Sequence, residues 1–389
     1  MNFLYVKAKQ SIYDIPWTLT EMGYEVDIFD PYDFDPLVHN EGANNELYTK
    51  LTANHFDYVI SYLFFADISN ICQKLNIKYI SWTYDSPLVS FFDEAVFNSC
   101  NYTFIFDKAE YEYLKSKNVP HIYYLPMATN LTRTGALDIS EEDEKNFGCD
   151  ISFIGNLYEA NSYNSIIHFF PDHLANELKS YLVKNLCNWE QRKPWPAVSK
   201  EVASFMEENL SANDWNPTNL DNSLYFGMLV LTRKLAEMDR ITVLNALSER
   251  HSVHLYTNSN SSHLQNVKTH KGVDYYTTMN KVFYLSKINL NITLPSIETG
   301  LPQRIFDIMG CGGFVLTNYQ EEIDDLFTIG EDIEVFHNIP ELLDKTAYYL
   351  THEKERIQIA MNGYMKVRDK YNYVNQIQII LDTIKEESN

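Results

Sequence analysis

The sequence predicts an α/β protein with two parallel-sheet domains. Three observations carry that expectation. At 389 residues the chain is longer than a single hydrophobic core usually serves. Short apolar runs alternate with helix-like segments of ten or so residues, the rhythm of βαβ units. A polar, acidic stretch without period, Thr129 to Gly148, interrupts that rhythm before it resumes at "CDISFIGNLY".

In chain order, Phe3 to Val6 is the first strand-like run, followed by a helix-like segment around Ile12 to Met22, Gly23, and a second run from Tyr24 to Phe29. "FDYVISYLFF", "KYISW", "YTFIFD" and "HIYYL" continue the strands, with "DISNICQKLN" and "KAEYEYLKSKN" as helices between them. This half is predicted to be Rossmann-like. Its first turn, "VKAKQSIYDIP", contains no glycine, so a GxGxxG dinucleotide site is excluded there. From Ala160 to about Leu247 a helix-like, Trp-containing block is interrupted by Pro194 and Pro196. "HSVHLYT", "KINLNIT", "GFVLTN" and "IEVFHN" then supply the strands of a second Rossmann-like domain, and helices fill the chain from about Pro340 onward. The expected partition is 1–135, a linker 136–149, and 150–370 with a helical insertion at about 160–247. A last helix, 371–389, is expected to pack back toward the first domain.

The apolar fraction of 45% is ordinary for a globular chain, and no apolar run reaches the length of a membrane span. With no leader-like start, the expectation is a soluble cytoplasmic protein. A net charge of −22 argues against a general nucleic-acid binder or electrostatic attachment to anionic lipid. Five scattered cysteines without CxxC or Cys/His spacing argue against a zinc site or a disulfide framework. No HExxH, GxSxG or GxxxxGK[ST] occurs.

The chemistry concentrates in "ETGLPQRIFDIMGCGGFVLTN", Glu298 to Asn318. Pro302 suits a helix start, and Gly300 lets backbone approach a ligand. Leu301, Ile305, Ile308 and Met309 form an apolar stripe, with Arg304 and Asp307 together on the opposite edge. The helix start and Arg304 suit a diphosphate, and Asp307 suits a ribose diol. The competing reading is an exposed i, i+3 ion pair. Asn289 and Asn291 alternate along a strand and need partners, whether loops or ligand. Tyr275 and Tyr276 suit packing on a base or a core. Gly155 and Asn156 stand in the turn after the first strand of the second domain, and Asp85 and Asp107 each follow a strand of the first. A carboxylate there suits a general base, an N-cap or a turn.

The segment "SKINLNITLPSIETGLPQRIFDIMGCGGFVLTNYQEEI" resembles the C-terminal half of the CgeB-like, spore-maturation-protein type glycosyltransferases, whose pattern runs S-K-I-N-L-N, then G-x-P-x-R-x-F-[DE]-x-M-x-x-G-G-F. "YISWTYDSP", "FIFDKAEYEYLKSKNV", "YYLPMATN" and "DISFIGNLY" resemble the rest of those proteins, so the likeness spans most of the chain outside the helical block. It implies a GT-B fold, two Rossmann-like domains facing across a cleft, and metal-independent transfer of a hexosyl group from a nucleotide diphosphate-sugar, UDP-sugar foremost. The acceptor implied is a protein or surface polymer. With the residue reading above, donor contacts are expected from Gly155, Asn156, Tyr275, Asn291, Glu298, Thr299, Gly300, Pro302, Arg304 and Asp307. In the wider retaining group a Glu-x7-Glu motif places its second acid on Asp307, but its first on Thr299, beside Glu298. Stereochemistry stays open. A non-catalytic nucleotide-sugar or glycan-binding protein on the same fold is the alternative.

Overall fold

The computed structural model describes residues 1–8, 12–30, 39–135, 137–189, 198–210 and 220–387. The prolines expected to interrupt the helical block, Pro194 and Pro196, lie outside them. The chain divides into two compact units, Met1–Asn130 with Lys370–Asn389, and Leu131–Asp369. Among the described residues no helix is long and apolar enough to cross a membrane.

The first unit holds strands β1 (Asn2–Val6), β2 (Glu25–Phe29), β3 (Tyr58–Ser61), β4 (Lys78–Thr83), β5 (Asn101–Ile105) and β6 (Ile122–Tyr124), all parallel, in the order β2-β1-β3-β4-β5-β6. Helices α1 (Asp14–Glu21), α2 (Glu41–Ala53), α3 (Ala66–Leu75) and α4 (Lys108–Ser116) connect them. Leu47, Leu51, Ile68, Cys72 and Leu114 pack from these helices onto Leu4, Val59 and Ile105 of the strands. Helices cover the inner strands β1, β3, β4 and β5, which is why these read as continuous apolar runs, while the edge strand β2 is largely exposed.

The second unit contains α5 (Leu131–Thr134), α6 (Glu141–Phe147), β7 (Cys149–Ile154), α7 (Ser162–Ile166), α8 (Asp172–Asn185), α9 (Lys200–Asn209), α10 (Asn222–Tyr225) and α11 (Thr232–Ser248). A π-helical turn, Phe226–Leu231, joins the last two. There follow β8 (Val253–Tyr256), β9 (Lys268–His270), α12 (Thr278–Leu285), β10 (Ser286–Asn291), α13 (Gln303–Gly310), β11 (Val315–Asn318), α14 (Ile323–Leu326), β12 (Glu334–Phe336), α15 (Ile339–Thr351) and α16 (Glu353–Asp369). Its parallel sheet has the order β12-β11-β10-β7-β8-β9, the doubly wound arrangement whose strand order reverses between β7 and β10. The final helix, α17 (Tyr373–Glu386), counts with the first unit, where the Tyr373 hydroxyl lies 2.6 Å from that of Tyr62.

Three details differ from the sequence expectation. Of the stretch expected as a linker, 136–149, the described residues 137–149 lie in the second unit and carry α6, because Ser140 and Asp143 close a capping box that holds the acidic segment helical. The unit boundary falls earlier, between Asn130 and Leu131. Strand β9 escapes the sequence reading because Lys-Thr-His is polar and partly exposed at a sheet edge.

The helical block has a core of its own. Leu174, Leu178, Leu182, Val202, Met206, Phe226, Val230, Leu231 and Leu235 are buried together, while Val243, Leu244 and Leu247 of α11 belong to the sheet core.

Candidate functional site

The loops that follow β7, β8 and β9 meet at the carboxyl edge of the second sheet. There they enclose a pocket of about 490 Å³ lined by Gly155, Asn156, Tyr158, Asn161, Thr257, Asn258, Gly272 and Arg233, among others. Ligands of open α/β sheets occupy this edge near the point where strand order reverses. The expected donor residues Gly155 and Asn156 line it. Their turn has no cation of its own in sequence, yet the structure brings one. Arg240 of α11 donates from Nη1 to the Asn156 carbonyl and from Nη2 to that of Ile292 at 2.9 Å, fastening the loop after β7 to the loop after β10. Its guanidinium lies over the Tyr158 ring at 4.8 Å. Burial lowers the Arg240 pKa from its ordinary value, and the positive charge of Arg304 adds to that lowering.

Helix α13 begins at this same edge. Pro302, in extended conformation, is its N-cap, and Ile305, Ile308 and Met309 are fully buried as the stripe requires. The helix is buried beyond that stripe: Phe306 and Asp307 are covered as well. At the other end Gly312 adopts φ +73°, and Gly313 sits where an added Cβ would lie 2.7 Å from Asn289 Nδ2 and 2.8 Å from the Phe283 carbonyl. The double glycine therefore serves a left-handed cap and a close approach.

Arg304 and Asp307 do not form the exposed pair that was the competing reading, nor does Asp307 face solvent as a ribose acceptor would. Asp307 is 1% exposed and receives Arg133 Nη2 at 2.6 Å and Gln303 Nε2 at 3.1 Å. Arg133, on the short helix α5, also donates to Asn280 Oδ1 at 3.0 Å and Tyr275 Oη at 2.8 Å. The Tyr275 ring, expected to carry a base, lies 4.1 Å from that guanidinium instead. Arg304 is left with softer company. It is partly buried, its Nη1 rests on the Met279 sulfur, and its guanidinium stands 5.5 Å from the centre of the Phe283 ring. Loss of hydration lowers its pKa, Asp307 partly offsetting this.

Other expected residues also make bonds within the fold. Asn291 is buried and donates to Thr293 Oγ1 at 3.1 Å and Thr317 Oγ1 at 2.9 Å. Asn289 accepts from Ser152 at 2.9 Å and donates to the Phe283 carbonyl at 2.9 Å. Thr299 donates to Glu322 at 2.7 Å, and the Gly300 carbonyl accepts from Gln320 at 3.3 Å. Glu298 lines a small recess of about 20 Å³ with Trp189, Thr293, Asn318 and Gln320.

In the first unit Asp85 and Asp107 follow β4 and β5 at the carboxyl edge of that sheet. Asp85 is exposed. Asp107 is fully buried, caps α4 by accepting from Ala109 N at 3.3 Å, and accepts from Ser86 Oγ at 2.7 Å. The buried Glu110 beside it accepts from Leu88 N at 2.7 Å, and burial pushes its carboxyl well above the usual carboxylate range. Asp107 is thus a cap rather than a solvent-facing base.

Residues 234–382 match the family model described as glycosyl transferase-like. No curated protein compared with the chain is similar enough to match. Among solved structures, Anabaena HepE (Alr3699), in complex with UDP and glucose, aligns at TM-score 0.58 and 10% identity, covering 99% of this chain and 100% of that one. Sucrose-phosphate synthase from Thermosynechococcus elongatus aligns at 0.53 and 10% identity, over 100% and 99%. A glycosyltransferase from Rickettsia africae aligns at 0.54 and 10% identity, over 99% and 98%. At such identities the likeness is one of fold. The chain has the GT-B fold, with two Rossmann-like domains each built on a parallel six-stranded sheet.

Sequence reasoning missed Arg133, Arg233, Glu237 and Arg240. The last three recur at i, i+4 and i+7, a polar stripe that was legible in principle. Arg133 gave no local signal, since its partner is 174 positions away.

Proposed function

We propose that the chain is a cytoplasmic, metal-independent glycosyltransferase of the CgeB-like kind, moving a hexosyl group from a UDP-sugar to a protein or surface-polymer acceptor. One observation carries the donor side. The carboxylate nearest in sequence to Arg304 is committed to Arg133, so Arg304 stands desolvated against a thioether and an aromatic ring. Holding a guanidinium away from water without a hydrogen-bonded anion is unfavourable, and a diphosphate at the start of α13 supplies that anion. The neighbouring Arg240 adds a second positive charge. As the glycosidic bond breaks, negative charge grows on the departing diphosphate, and a preorganised cation with helix amides stabilises it. Gly155, Asn156, Gly300 and Pro302 offer backbone around the donor, and Glu298 a polar edge. UDP is favoured because HepE, of the same fold, was solved with UDP and with UDP-glucose. Asp85, exposed after β4, is the candidate general base for the acceptor hydroxyl.

Thr299 supports the alternative, a binding protein without turnover, because it stands where retaining relatives place a carboxylate and its hydroxyl is bonded to Glu322. Calorimetric titration with UDP, GDP, dTDP and CMP and their sugars, followed by detection of released nucleotide, separates the two. Arg304→Gln is expected to weaken UDP binding by roughly ten- to a hundredfold, the worth of one or two charge-assisted hydrogen bonds. Unchanged affinity would remove the phosphate role. Binding with no release in any acceptor extract would favour the alternative.

A further inference from the structure

The helical block does more than fill space. Arg233, Glu237 and Arg240 share one face of α11, and the π-helical turn just before it prepares that face. An extra residue in that turn rotates the helix, so that Phe226, Val230 and Leu231 fill the block's own core while Val243, Leu244 and Leu247 fill the sheet core. The polar stripe is left at the pocket.

Two members of the stripe are hydrogen-bonded within the fold. Glu237 is buried and accepts from Asn161 Nδ2 at 2.7 Å, Asn164 Nδ2 at 3.0 Å and Lys234 Nζ at 2.8 Å. Arg240 closes the floor through the Asn156 and Ile292 carbonyls, with its Nε buried and unpartnered among the described residues. Glu159, an acidic lining residue, accepts from Asn260 N at 2.7 Å. Arg233 lines the pocket, is exposed, and makes no hydrogen bond or ion pair with a described residue. In a chain of net charge −22, a cation without an acidic partner at the mouth of a pocket lined by amides and hydroxyls is the unusual feature.

We infer that Arg233 is a further donor-binding residue, holding an anionic oxygen group of the donor at the mouth of this pocket, on a phosphate or on a sugar carboxylate. This rests on the donor reading above and adds a residue that the helical block contributes. The glycosyl transferase-like match starts at residue 234, so it takes in Glu237 and Arg240 but not Arg233.

The test uses the full chain, with Arg233→Gln, Arg233→Lys and Arg304→Gln titrated calorimetrically against UDP, UDP-glucose and UDP-glucuronate at low and moderate salt. Arg233→Gln is expected to keep the wild-type melting temperature and to lose about five- to tenfold in affinity, with a flatter salt dependence. Arg233→Lys is expected to recover part of the loss. An equal loss for all three ligands assigns the group to a phosphate, and a loss confined to UDP-glucuronate assigns it to a sugar carboxylate. Wild-type affinity in Arg233→Gln for every ligand, while Arg304→Gln is weakened, overturns this inference and leaves the donor reading standing. Failure of the wild type to bind any of the three overturns both.

Discussion

Replacing Arg133 by Leu tests how the second unit allocates its charges. The Arg133–Asp307 pair is 2.6 Å long, with side chains 2% and 1% exposed. At an effective dielectric of about 20 its Coulomb attraction is about 6 kcal/mol, much of it offset by desolvation. Removing one partner of such a pair costs about 3–5 kcal/mol, because the other charge stays behind. The substitution also removes the donors to Tyr275 and Asn280. Asp307 keeps Gln303 and acquires a new use, since Arg304 stands one turn earlier on the same helix. The expected loss is therefore near 3 kcal/mol, a fall in melting temperature of roughly 6–12 °C for a unit of this size. Because Asp307 then neutralises Arg304, UDP affinity is expected to drop about tenfold although Arg133 has no assigned ligand contact. Arg133→Leu with Asp307→Leu removes both charges and is expected to recover stability and binding together. Calorimetric melting and UDP titration of the three proteins measure this. A loss below about 1 kcal/mol, or unchanged UDP affinity in the single variant, refutes the charge allocation.

Other consequences follow from single observations. Gly313→Ala is expected to destabilise by about 1–3 kcal/mol, read by urea unfolding, because its Cβ meets the Asn289 amide and the Phe283 carbonyl. Asp85→Asn is expected to cut turnover at least a hundredfold with UDP affinity intact, whereas Asp107→Asn acts mainly on stability through the α4 cap. His254, buried 3.3 Å from His270 Nε2, has its pKa lowered to about 4 by burial, then by Lys268 and His270, with Asp150 opposing. The unfolded chain binds this proton near pH 6.5 and the folded one near 4, so stability is full above pH 6.5 and falls as pH drops toward 4. That window is worth up to about 3 kcal/mol. His254→Gln should flatten the fall in melting temperature between pH 6.5 and 4; an unchanged slope would remove His254 as its source.

The sequence by itself determined the two parallel sheets, because strands buried on both faces leave apolar runs and their connecting helices leave a different period. It also determined the buried stripe of α13, the proline at its start and the glycines at its end, since these depend on residues within one or two turns. The tertiary structure decided where the charges went. Periodicity placed Arg304 beside Asp307, but whether they pair depended on Arg133, 174 positions from Asp307. The Gly155–Asn156 turn looked uncharged until α11 folded over it and brought Arg240 within reach of two loop carbonyls. Propensity and spacing are local, whereas a buried charge is stabilised by whatever the completed fold places against it, and that partner is fixed only once the sheet order is.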